Sequence, residues 1–84
     1  MESVYLDWAS TTREDPAVSD LVRDIALFSF GNPSSRHSYG KEAARLLEES
    51  RATIASGLAC GSEQVLFTSG GSEANNIILT SLLL

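Results

Sequence analysis

Much of what would stabilise or specialise a small protein is scarce in these 84 residues. There is one cysteine, Cys60. No internal disulfide can form, and no CxxC pair or His/Cys cluster points to a metal. A single thiol also fits a reducing compartment. Basic residues are few: six Lys and Arg stand against 11 Asp and Glu, a net charge of −5. The six are scattered, so no phosphate-neutralising patch forms and nucleic-acid binding is excluded as an expectation. No basic region followed by a long apolar run opens the chain, so no signal peptide is read. The apolar stretch IILTSLLL (77–84) is far short of the roughly 18–20 residues a membrane span needs. No repeat or low-complexity tract is present. The expectation is a protein of the cytoplasm with no membrane and no nucleic-acid partner.

What is present reads as alternating elements. Val4–Leu6 is a short apolar run, read as a strand over about 4–6. The polar DWASTTRED stretch follows as a loop. Asp15-Pro16 then starts a helix, because Asp caps and Pro suits the first helical turn. Val18, Leu21, Val22, Ile25 and Phe28 recur at helical spacing, which predicts a helix over about 16–29. GNPSS (31–35) is a loop, in which Gly31 permits positive φ and Pro33 holds Asn32 extended. A second helix is predicted over about 38–58, its end bracketed by Gly57 and Gly61. EQVLFT reads as a strand over about 64–68, and a third helix over about 72–83 follows SGGS. The order is strand, helix, helix, strand, helix, an α/β pattern. A chain this short buries only about 60–65% of its unfolded surface, so its core is thin.

The chemistry-bearing stretch is FTSGGSEANN, residues 67–76. A β-prone run ends, small residues turn the chain, and a helix begins. The first N–H groups of a helix have no internal partner, and the helix dipole adds partial positive charge there. Glycines allow close approach of a ligand, and serine hydroxyls add donors. That combination suits an anion, above all a phosphate. The motif is neither GxxxxGK[ST] nor GxGxxG, so the pattern alone is weak. The plainer alternative is an ordinary strand-to-helix turn with Ser72 as its cap. Glu73 suits the dipole but would sit badly beside a phosphate if its side chain turned inward.

Three stretches together, VYLDWASTT (4–12), FGNPSSRHSYG (30–40) and VLFTSGGSEANN (65–76), resemble the N-terminal part of the cysteine desulfurases, pyridoxal-phosphate enzymes of the class-V aminotransferase fold. The resemblance covers the chain to about Ile78. It implies an α/β N-terminal fragment of the type I pyridoxal-phosphate-dependent transferase fold, helix-dominated when isolated. Residues 1–15 resemble a small-domain segment, and 16–84 lead into the large cofactor-binding domain, with no complete domain present. Gly71 and Ser72 match the turn that contacts the cofactor phosphate. The ASTT loop resembles a segment at the substrate end of the active site, and GNPSSRH one near the active site and subunit interface.

The implied activity of the full-length family is sulfur transfer from L-cysteine, giving L-alanine and an enzyme persulfide for iron–sulfur or thio-cofactor assembly. The implied assembly is a homodimer. Alternatives are another class-V aminotransferase, a selenocysteine lyase, or a self-associating helical module without catalysis. The family's Schiff-base lysine, ring-stacking histidine, pyridine-nitrogen aspartate and sulfur-accepting cysteine all lie downstream of the region matched here. Lys41, His37 and Cys60 do not match those positions. They are read as a solvated helix residue, a loop hydrogen-bonder and a half-buried small residue. Trp8 is expected to pack on a neighbour, and Asp7 either to orient the ASTT loop or to be solvated. The chain alone is expected to have no catalytic residue, to bind no pyridoxal phosphate and to turn over no L-cysteine.

Overall fold

A computed structural model describes residues 2–83. Its regular elements are helix α1 (Pro16–Phe28), helix α2 (Ser38–Gly57), a 3-10 turn (Ser62–Gln64) and helix α3 (Gly71–Leu83). The chain divides into two compact units, 1–44 and 45–84, and each is taken by itself.

In the first unit, α1 starts as its sequence dictates. The Asp15 side chain accepts a 2.8 Å hydrogen bond from the Ala17 N–H, and Pro16 occupies the first helical turn. Ser29 closes the helix through its N–H to the Ile25 carbonyl, 2.9 Å away. The apolar face predicted from the spacing is present but exposed, from Ile25 at 40% to Phe28 at 74%. His37 caps the start of α2: its Nδ1 accepts from the Gly40 N–H at 3.2 Å, and its carbonyl accepts from the Lys41 N–H at 3.0 Å. Ala43 is the buried hydrophobic residue of this unit, 8% exposed.

In the second unit, α2 ends in a Schellman arrangement. The Cys60 N–H reaches back to the Ala55 carbonyl (3.0 Å) and the Ala59 N–H to the Ser56 carbonyl (3.3 Å). That closure needs a left-handed residue. It is Ala59, at φ 54°, and neither Gly57 nor Gly61, which had been expected to bracket the end. Ala55 beneath it is 2% exposed. Cys60 is half-buried, as read from the sequence.

The two predicted strands are not formed: among the described residues no strand occurs. Residues 4–6 carry no regular structure, and the 3-10 turn takes Gln64 while Val65 is extended (φ −106°, ψ 120°) without a ladder. The physical reason is that a strand is defined by the neighbour that accepts and donates its hydrogen bonds. Neither run has such a neighbour. The two strand readings are therefore corrected: among the described residues the regular elements are helical, as the helix-dominated expectation for an isolated fragment has it.

Candidate functional site

The three sequence stretches singled out above each fold locally. In the 2–14 segment, Tyr5 Oη donates to the carbonyls of Asp7 (3.0 Å) and Thr11 (3.1 Å). The Asp7 carboxylate, though exposed, accepts from Ser10 Oγ at 2.6 Å and so ties the start of the ASTT loop. Trp8 packs edge-to-face on Tyr5, with ring centroids 4.9 Å apart.

The 30–40 loop is held on all sides. Asn32 Oδ1 accepts from the Ser34 N–H (2.9 Å), and the Asn32 carbonyl accepts from the Ser35 N–H (2.9 Å). Phe30 stacks on Tyr39 at 5.8 Å. Both glycines are sterically required. A β-carbon on Gly31 would run into the Tyr39 carbonyl, and one on Gly40 would lie 2.7 Å from the Asn32 carbonyl oxygen. Neither has positive φ, so the requirement is space and not conformation.

The Gly-rich turn differs. Thr68 Oγ1 donates to the Gly70 carbonyl (3.0 Å), and that same carbonyl accepts the first bond of α3 from the Ala74 N–H (3.1 Å). Glu73 Oε2 accepts both the Ser69 N–H (3.0 Å) and Ser69 Oγ (2.6 Å). These two bonds, the hydroxyl first, hold the Glu73 carboxyl below its ordinary pKa, against a small opposing desolvation. Ser69 and Glu73 thus close the helix start, in the manner of a capping box displaced by one residue.

That closure leaves Ser72 out, so the alternative in which Ser72 caps α3 does not hold. Ser72 is the second residue of α3. Among the described residues, the N–H groups of Gly71, Ser72 and Glu73 and the Ser72 hydroxyl donate to no protein acceptor. Nothing lies within 4 Å of where a β-carbon on Gly70 or Gly71 would stand. The turn therefore offers three backbone donors and a hydroxyl beside open space. N–H and hydroxyl donors arranged at a helix start can donate to the oxygens of an anion. Glu73, the acid that threatened this reading, is tied to Ser69.

Comparison with known proteins matches residues 4–84 to the family described as Aminotransferase class-V. The chain belongs to the class-V aminotransferase family. Class-V relatives include the "putative cysteine desulfurase IscS 1" of Bacillus subtilis (strain 168), 42% identical over 79 residues, which are 94% of this chain and 21% of that protein. The "cysteine desulfurase IscS" of Dictyoglomus turgidum is 41% identical over 76 residues, 90% of this chain and 19% of that protein. The "cysteine desulfurase, mitosomal" of Encephalitozoon cuniculi is 42% identical over 77 residues, 90% and 18%. The chain thus spans about a fifth of the length of the curated class-V relatives it matches. No solved structure matches it.

Among the described residues of this class-V chain, no group of His, Cys, Asp and Glu could hold a metal ion, and no helix is long and apolar enough to cross a membrane. One participant was not legible in the sequence. Arg51, on α2, donates through Nε to the Val65 carbonyl (3.2 Å) and through Nη1 to Glu48 Oε2 (2.6 Å). Its guanidinium lies 5.3 Å from the Phe67 ring centroid. The only available signal was an arginine three residues after a glutamate on a helix, which ordinarily marks a surface ion pair.

Proposed function

We propose that this chain is part of a pyridoxal-phosphate-dependent cysteine desulfurase and that Gly71 and Ser72 hold the phosphate of the cofactor. The observation that carries the reading is the unspent donor set at the start of α3, beside two glycines that no neighbour in the chain requires. The similarity to proteins named as cysteine desulfurases supplies the reaction class. Bound pyridoxal phosphate supplies an electron sink for the substrate amine. The residues of this chain act around it. The N–H groups at 71–73 and the Ser72 hydroxyl bind and orient the phosphate, while Ser69 withholds the Glu73 carboxylate from it.

On this reading L-cysteine is the substrate of the whole enzyme, and the 4–12 and 30–40 loops border its pocket. Residues 1–15 contribute to the small domain, and 16–84 lead into the large domain of the type I fold. The exposed apolar residues of α1 and α3, such as Leu21 (59%) and Ile78 (58%), are covered by the rest of that architecture in a cytoplasmic homodimer. The chain by itself turns over no L-cysteine.

The test is a chimera in which this chain replaces the matching fifth of the Dictyoglomus turgidum enzyme. The chimera retains the cofactor's visible absorbance and forms L-alanine from L-cysteine. Ser72→Ala in it weakens cofactor retention about tenfold, the effect of one hydrogen bond to a charged group. A chimera that folds but holds no cofactor, or a Ser72→Ala variant that holds it as well as the parent, would contradict the reading.

A further inference from the structure

The segment 65–68 carries the chain into the Gly-rich turn, and among the described residues no strand pairs with it. Its one backbone anchor is the bond from the Val65 N–H to the Ser62 carbonyl (3.1 Å), at its first residue. Arg51 meets it twice, at the Val65 carbonyl (3.2 Å) and at the Phe67 ring (5.3 Å). A third contact, to Glu48 one helical turn earlier (2.6 Å), aims the guanidinium. The Arg51 side chain is 25% exposed, against 58% for Glu48, so it lies in the groove and is not an ordinary solvated partner of a surface pair. Glu48, Arg51, Ser62, Glu63 and Val65 line that groove.

The planar fork of a guanidinium can donate in two directions while its face or edge lies on an aromatic ring, which an ammonium cannot do. We propose that Arg51 is a positioning residue for the Gly-rich turn, fixing residues 65–67 against α2 and thereby where Ser69 meets Glu73 and α3 begins. The proposal extends the phosphate-binding role of Gly71 and Ser72 and takes its functional purpose from that role.

A readout exists that does not need the ligand. The Ser69–Glu73 bonds hold the Glu73 carboxyl below its ordinary pKa, so its titration reports whether the turn is set. In the full labelled chain, the Glu73 side-chain carbon is followed by NMR against pH in the parent, Arg51→Ala, Arg51→Lys and Phe67→Leu. The midpoint shifts upward in Arg51→Ala. Arg51→Lys, which keeps the charge but loses the fork, restores only a minor part of that shift. Phe67→Leu gives a smaller upward shift, and the α2 amide pattern is retained throughout.

A Glu73 titration unmoved in Arg51→Ala, or fully restored by Lys, overturns the clamp. So does a parent chain whose Glu73 titrates as an ordinary carboxylate. If Arg51→Ala loses the α2 pattern altogether, Phe67→Leu decides: no shift there also overturns the proposal. The two ideas fail separately. An Arg51-dependent Glu73 with a chimera that holds no cofactor removes the ligand and keeps the clamp; the reverse removes the clamp and keeps the ligand.

Discussion

Gly31 and Gly40 face protein backbone, whereas Gly70 and Gly71 face open space. None of the four has positive φ, so conformation does not explain the choice of glycine at any of them. At 31 and 40 the explanation is internal: the loop and the start of α2 pass too close for a side chain. At 70 and 71 no atom of this chain crowds the position. Gly70 precedes the first helical residue and accepts the helix's first bond, a cap position where glycine is preferred to alanine. Gly71 lies within α3, where glycine costs up to about 1 kcal/mol relative to alanine. The same amino acid thus avoids a clash within the fold in one region and stands beside open space in the other, which is where the proposed ligand would bind. The partnering of the donors matches: the 30–40 loop commits the N–H groups of Ser34 and Gly40 to Asn32 Oδ1 and His37 Nδ1, while the first N–H groups of α3 find no acceptor among the described residues.

Substitutions break or sharpen this contrast. The largest effect is expected from Gly40→Ala, whose new methyl meets the backbone of Asn32 and Ser35. Overpacking of this kind costs about 1–3 kcal/mol or more, read as a lowered denaturation midpoint with loss of the His37 cap signals. Gly70→Ala, by contrast, meets no neighbour and costs only what alanine costs in a helix cap, about 1 kcal/mol or less. Ser72→Ala leaves helix content alone and lowers cofactor retention in the chimera about tenfold.

Ser69→Ala removes the shorter of the two bonds to Glu73, that from the hydroxyl, and leaves the backbone N–H bond, so α3 frays more readily at its start. The sign with pH follows from the lowered Glu73 pKa. A carboxyl whose folded pKa is depressed stabilises the fold above its unfolded value, and the benefit is lost as pH falls through the folded one. Acidification therefore weakens the α3 start in the parent, and Ser69→Ala, which removes the larger of the two causes, reduces that pH dependence in α3 amide exchange. The smallest effect is Ala59→Gly, which relieves a left-handed alanine and stabilises the end of α2 by about 0.5–1 kcal/mol.

The helices were legible because their signals are local. Asp15-Pro16 at the start of α1 and the spacing of Val18, Leu21, Val22 and Ile25 act within a few residues, and the ends fall within one residue of expectation. The strands at 4–6 and 64–68 were misread because their residue types have strand propensity, while pairing depends on a neighbour the segment does not contain. The Gly-rich turn was legible as a helix start, but the division of labour within it was not. Ser69, Ser72 and Glu73 are all plausible helix-start residues in sequence, and only geometry shows that Ser69 and Glu73 satisfy each other and leave Ser72 unspent. Arg51 was hidden for the opposite reason, since its contact with Val65 spans 14 residues and no local pattern encodes it. The end of α2 falls between Gly57 and Gly61 as read, but the left-handed residue that closes it, Ala59, had no sequence signal of its own.

The measurement that bears most directly on the account is a paired one on Gly71→Val in the chimera: the denaturation midpoint, and the pyridoxal phosphate retained after gel filtration. If Gly71 is glycine for a ligand, valine leaves stability within about 0.5 kcal/mol of the parent, consistent with the similar helix cost of the two residues, while cofactor retention collapses. A variant that keeps its cofactor, or one that loses stability as Gly40→Ala does, would contradict it.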